Sequence, residues 1–99
     1  MWRQGDILIE STESIPERAV KRKKPIVTTS KATGHQHKIL EKRVCRLYEI
    51  DDEFVLEVFG EQASLVHPEH DTIVFPRGLY RVWRQRELTR ERGTRFVLD

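Results

Sequence analysis

Every apolar run in this chain is short, and nearly every one is bounded by glycine, proline or a pair of acids. That punctuation constrains the fold more than any other feature. Only Glu13 to Val20 offers a helical turn, and Pro16 confines it to a short piece. The remaining runs carry strand signals. Gly5 to Glu10 is an apolar run after a glycine, and Ile26 to Thr29 is β-branched throughout. Arg43 to Ile50 alternates Val44, Arg46 and Tyr48 with Cys45 and Leu47 on the opposite face. Glu53 to Phe59 sets Phe54, Leu56 and Val58 against Val55 and Phe59, as in a strand covered on both sides, with Asp51-Asp52 as the hairpin tip before it. Thr72 to Phe75 and Leu79 to Arg86 flank Pro76-Arg77-Gly78, which reads as a tight turn closing a second hairpin. Arg95 to Leu98 is expected to add an edge strand, and residues 11–25, closed by Pro25, a surface loop.

Seven to nine short strands at close spacing predict an all-β chain: a small single-domain β-barrel or sandwich built from antiparallel hairpins. Ninety-nine residues supply one domain, 1–99, and one modest core. Its expected members are Ile7, Ile9, Val27, Val44, Leu47, Phe54, Leu56, Val58, Leu65, Ile73, Phe75, Val82 and Phe96. The single cysteine, Cys45, excludes an intramolecular disulfide scaffold and is expected to be a small buried hydrophobe. No stretch approaches the roughly 20 apolar residues of a membrane span, and Met1 to Asp6 lacks the features of a signal peptide. The expectation is a small soluble cytoplasmic protein with no membrane partner, whose open sheet edges leave room for a homo-oligomer.

The net charge of +2 conceals a strong asymmetry. From Leu47 to Pro76 there are eight acids and no lysine or arginine, so the rest of the chain holds all 18 bases against eight acids. The bases concentrate in Lys21-Arg22-Lys23-Lys24 and in seven arginines between Arg77 and Arg95. Within Leu79 to Leu88, alternation puts Arg81, Trp83, Gln85 and Glu87 on one face, with Tyr80, Val82, Arg84 and Arg86 on the other. Aromatics interleaved with arginines suit a platform that stacks bases and neutralises phosphates. The guanidinium forks of Arg81, Arg84 and Arg86 fit phosphate better than lysine does, and Lys21, Arg22, Lys23 and Lys24 would add non-specific contacts. The competing reading keeps Trp83 or Tyr80 in the core and pairs the arginines with the acidic 47–76 block.

All four histidines fall in two tight pairs, His35-Gln36-His37 and His67-Pro68-Glu69-His70. On a strand, His35 and His37 project from one face, and Ile39 and Glu41 continue it. Pro68 fixes a turn from which His67 and His70 lean toward one point. If the pairs meet, four imidazoles and a carboxylate surround one site. Such a set suits a divalent transition metal held by His35, His37, Glu41 and His70. It equally suits metal-free cleavage of RNA, one histidine as base and one as acid, through attack by the strand's own 2′-hydroxyl. The bland alternative is a polar outer face with unrelated hydrogen-bonding roles.

His35-Gln36-His37-Lys38-Ile39-Leu40-Glu41 resembles the His-x-His-x3-Glu core of the first cupin motif, and Asp71 to Gly78 is similar to the Asp-x4-Pro-x-Gly hairpin that opens the second. That resemblance, cupin-like in part, implies a small β-barrel and a metal held by His35, His37 and Glu41. Arg81 stands where the second motif places its third histidine, so His67 or His70 would substitute. The chain as a whole also resembles a set of short bacterial and phage proteins. They share an opening Gly-Asp strand, Thr-Gly-His-x-His, His-x-x-His, a Pro-x-Gly turn and a Gln-Arg-Glu ending, here Gln85-Arg86-Glu87.

Together these features predict a small ribonuclease acting on single-stranded RNA. His35, His37, His67 and His70 supply acid–base or metal-assisted chemistry, and Arg81, Arg84 and Arg86 hold phosphates. The alternatives are a cupin-like metal protein for a small anionic ligand and a non-catalytic nucleic-acid-binding module.

Overall fold

A computed structural model describes residues 1–85. They form one curled antiparallel sheet of eight strands, a half-barrel with no α-helix among the described residues. In chain order the strands are β1 (Trp2–Gln4), β2 (Ile7–Ser11), β3 (Val20–Lys21), β4 (Ile26–Thr29), β5 (Gln36–Ile39), β6 (Cys45–Ile50), β7 (Glu53–His67) and β8 (His70–Arg84). The main path runs β1-β2-β8-β7-β5-β4, and β6 pairs with both β7 and β3.

The long hairpin β7–β8 organises everything else. The first half of β7 pairs with β6 and its last turns pair with β5, while β2 lies along the end of β8. Pro76-Arg77-Gly78, expected as a tight turn, lies inside β8 instead. The register runs from Val58 opposite Gly78 to Gln62 opposite Pro76, so β7 carries two extra residues there. That bulge accommodates a proline with no N–H to give and bends both strands without ending them. Gly60 lies in the bulge, and a Cβ there would meet the Val44 side chain at 2.5 Å. Only glycine lets the 3-10 turn at Lys42–Val44 pack so closely. The true reversal is at Pro68-Glu69, with His67 opposite His70.

Period-two alternation places the core. Ile7 and Ile9 of β2, Leu47 of β6, Leu56 and Val58 of β7, and Phe75, Tyr80 and Val82 of β8 all face inward and are buried. Of the expected core, Val44 and Ile73 are partly buried against it, and Phe96 lies outside the described residues. Ile39 and Ala63 join it, Val55 is buried on the other face of β7, and Cys45 is buried and free, as a small hydrophobe should be. Trp2 packs edge-on against Phe75 and Tyr80, with centroids 5.2 and 5.6 Å away, drawing β1 over the far arm of the hairpin.

Residues 11–25 are not wholly a loop, because Val20 and Lys21 pair with Glu49 and Tyr48 of β6. Glu13 to Val20 forms no helix but one hydrogen-bonded turn, with Ala19 N donating to Pro16 O at 3.0 Å, and the expected strand at Arg95 to Leu98 lies outside the described residues.

Candidate functional site

The curl of the sheet creates a seam where three turns meet. One is Gly5-Asp6 between β1 and β2, one precedes β5, and one joins β7 to β8. The seam is tied by Gln4, which is 1% exposed at the end of β1. Its Nε2 donates to Leu65 O and Asp71 O, each at 2.9 Å, binding β1 to both strands of the hairpin arm. A buried amide needs such partners, since an unmade hydrogen bond costs roughly 1–3 kcal/mol.

All four histidines converge at this seam. His37 lies on the core face of β5 with Ile39, which is why it is only 6% exposed. His35 stands just before the strand. The His37 ring centroid is 4.2 Å from that of His67 and 5.9 Å from that of His70. His67 and His70 are 4.6 Å apart, and His35 meets His67 edge-on at 5.6 Å. Gly5, at φ +60°, brings the backbone against His70, where a Cβ would lie 2.7 Å from Nε2.

The carboxylates beside the rings are Asp6 and Glu69. His37 Nε2 is 3.7 Å from Asp6 Oδ1, and its Nδ1 is 2.8 Å from Gln4 Oε1. His35 Nδ1 is 3.5 Å from Glu69 Oε1. His67 Nδ1 accepts the Glu69 backbone N–H at 3.0 Å. A cleft of about 260 Å3 opens over the cluster, lined also by the hydroxyl residues Thr28, Ser30 and Thr33 and by Arg84.

Burial and the neighbouring His67 push His37 down to about 4, against a partial pull upward from Asp6. His67 is lowered as well, by burial and then by the charges of His70 and His35. Burial would raise Asp6, but the hydrogen bond and charge of Arg84 outweigh it and leave the carboxyl below its usual value.

Glu41 does not join the cluster. β5 ends at Ile39, and Glu41 turns to accept from Ser64 N at 2.6 Å and Ser64 Oγ at 2.7 Å. Those bonds outweigh burial and hold its carboxyl below the usual range. The ligand set His35, His37, Glu41 and His70 is therefore not assembled. His37 has one nitrogen on Gln4 and the other facing Asp6. Among the described residues, no three histidine, cysteine, aspartate or glutamate side chains stand where they could hold a metal ion.

The expected phosphate-holding residues separate. Arg84 reaches the cleft, its Nε on Asp6 Oδ2 at 2.8 Å. Arg81 does not. It grips both oxygens of Glu53 at 2.8 and 2.9 Å, reaches Glu10 at 3.3 Å and lies 4.2 Å over the Trp83 ring. A groove of about 660 Å3 runs past Trp83, and Arg81 covers one face of its indole. Arg86 lies outside the described residues. Lys21, Arg22 and Lys23 line a separate groove of about 200 Å3 with Lys42 and Arg46, at the other end of β4–β5 from the histidines. Arg22 is paired with Glu49 at 2.8 Å, and Lys24 is exposed beside the groove.

Gln4 and Asp6 have no sequence signal as site residues beyond the Gly5-Asp6 turn itself. Glu69 does have one, since it stands between two histidines. A family model described as a domain of unknown function (DUF8820) matches residues 3–85, a span that includes every residue of the cleft. No curated protein and no solved structure matches the chain.

Proposed function

Because the chain belongs to the DUF8820 family, described only as a domain of unknown function, its activity has to be read from the cleft, and we propose that it cleaves single-stranded RNA by histidine acid–base chemistry. The observation that carries this reading is the convergence of four imidazoles within 4.2–5.9 Å, centroid to centroid, along the chain of contacts at one cleft. Burial and neighbouring rings lower the pKa of two of those rings, which favours the neutral form that a base needs before it accepts a proton.

In the proposed reaction a neutral imidazole takes the proton of the ribose 2′-hydroxyl. The 2′-oxygen then forms a bond to phosphorus, and the bond from phosphorus to the 5′-oxygen breaks. His35, oriented by the Glu69 carboxylate, returns a proton to the departing oxygen. The products are a 2′,3′-cyclic phosphate and a 5′-hydroxyl, so atoms and charges balance without a further reactant. Arg84 at the cleft edge offsets charge on the phosphorane-like transition state. The lysines at the other end of β4–β5 extend a cationic flank for neighbouring phosphates.

The test uses the full chain and labelled single-stranded RNA in the presence of a chelator. The expected result is fragments ending in cyclic phosphate, with an all-2′-deoxy strand left intact. Salt-sensitive binding without cleavage would overturn the reading in favour of a nucleic-acid-binding module. Cleavage lost on chelation and restored by a transition metal would replace it with a metal-assisted one.

A further inference from the structure

The amide of Gln4 sets protonation at the centre of the cluster. Its two 2.9 Å contacts are to carbonyl oxygens, which only accept, so they fix the NH2 end of the amide. Oε1 is thereby turned toward His37. An amide oxygen also only accepts, so the 2.8 Å contact requires the proton to sit on His37 Nδ1. In the neutral ring Nε2 is then bare. His67 runs the other way. Its Nδ1 accepts the backbone N–H of Glu69, so neutral His67 carries its proton on Nε2.

We propose that His37 and His67 are locked in opposite tautomers, and that their Nε2 atoms form an acceptor and a donor that together seat one substrate hydroxyl, with His37 as the base that takes its proton. The identity of that hydroxyl as a ribose 2′-hydroxyl rests on the RNA reading; the tautomers themselves are a property of the free protein.

The surroundings fit this assignment. The two rings are 4.2 Å apart, tilted by 34°, and both line the cleft. Each has one nitrogen committed inside the protein and one left for a ligand. Asp6 Oδ1 is 3.7 Å from His37 Nε2, too far for a good hydrogen bond but close enough to attract the proton once it arrives. In the transfer the O–H bond breaks, an N–H bond forms at Nε2, and the hydroxyl oxygen keeps the electron pair. The neutral state needed beforehand follows from burial of His37 beside His67, His70 and Arg84. Gln4 touches no substrate and is a positioning residue.

Long-range 1H–15N correlation spectra of the full chain at pH 7 test this directly, with the rings assigned through His37→Gln and His67→Gln. The expected spectrum has His37 protonated on Nδ1 and His67 on Nε2. The same tautomer at both rings, the reverse pair, or a cationic His37 at pH 7 overturns the proposal. Addition of a ribodinucleotide is expected to shift His37 Nε2, and its 2′-deoxy counterpart is expected to leave it in place. Equal shifts, or none, overturn the hydroxyl seat. In Gln4→Leu, His37 is expected to become a tautomer mixture while His67 is unchanged, with kcat for RNA down about tenfold or more and KM near its original value. Should that variant not fold, the unmodified protein's spectrum still decides. The spectra need no turnover, so expected tautomers without RNA cleavage would overturn the ribonuclease reading and leave the tautomer lock standing.

Discussion

The histidine cleft and the outer face of β8 hold two of the side-chain groups that the sequence singles out, and folding treats them in opposite ways. On β8, Arg81 lies beside strands that offer acids, and Glu53 and Glu10 take up its guanidinium. At the seam, like groups are gathered from three turns. Imidazoles cannot neutralise one another, so the cluster keeps ring nitrogens for something outside the protein. A basic strand next to an acidic one uses up its own charge; a cleft with four imidazoles beside two carboxylates does so only in part.

The largest effect expected from this contrast is on activity. His37→Ala should lower RNA cleavage on the order of 10²-fold or more, as removal of a general base does, while Arg81→Ala should change it by no more than about threefold. Initial rates on labelled single-stranded RNA measure both. A larger loss at Arg81 than at His37 would reverse the contrast.

Next in size is the response of stability to acid. His37 ordinarily titrates near 6.5 and in the fold near 4, so between those values the unfolded chain binds the proton and the native state does not. Stability therefore rises with pH across this window and falls as the solution is acidified from about 6.5 to about 4. The full effect of this ring is about 2 kcal/mol once solvent screening at the cleft mouth is allowed for. His67 is shifted the same way and adds to the loss. Asp6 and Glu41, both lowered, contribute stability that is present above their unfolded values and lost at still lower pH. Urea unfolding at a series of pH values should follow this slope, and His37→Gln should flatten its upper part.

The sequence makes the histidine site unusually legible because its geometry is local. Each pair is close in sequence, and a two-residue turn sets His67 opposite His70; His35, just before β5, and His37, on it, then meet His67 across the sheet, a contact the sequence leaves open. Ile26 to Thr29 is equally plain, being β-branched and preceded by Pro25. What was not legible depends on partners distant in the chain. Gln4 finds His37 33 residues away, and Arg84 finds Asp6 78 residues away. Pro76 and Gly78 punctuate the strand without turning it, because the two extra residues of β7 that absorb them lie on the facing strand. Glu41 has the spacing of a ligand, but β5 stops at Ile39, before the alternation can carry it to the cluster.

Glu41 therefore separates a structural carboxylate from a functional one. Its bonds to Ser64 N and Oγ, at 2.6 and 2.7 Å, tie the end of β5 to β7. Glu41→Ala leaves two partly buried donors unsatisfied and should cost about 1–2 kcal/mol in the urea midpoint. Cleavage should be unchanged within the folded fraction. A loss of activity with stability intact would put Glu41 back at the site.

The smallest effect is expected where the contacts look strongest. Arg81 makes a two-pronged grip on Glu53, yet both side chains are 40% exposed, so water screens the pair and competes for its donors. Arg81→Ala should destabilise the sheet by about 0.5–1 kcal/mol, part of it from lost packing on Trp83 rather than lost charge. Arg81→Met keeps most of that packing and should recover about half of the loss. Raising the salt concentration should shrink the difference between the original protein and Arg81→Met while leaving the gap between Arg81→Met and Arg81→Ala unchanged, since only the charge term is screened. Salt should also weaken RNA binding equally in the original protein and in Arg81→Met, because Arg81 is held by Glu53 and Glu10; a shallower salt dependence in Arg81→Met would put a phosphate on Arg81 and reverse the contrast with the cleft.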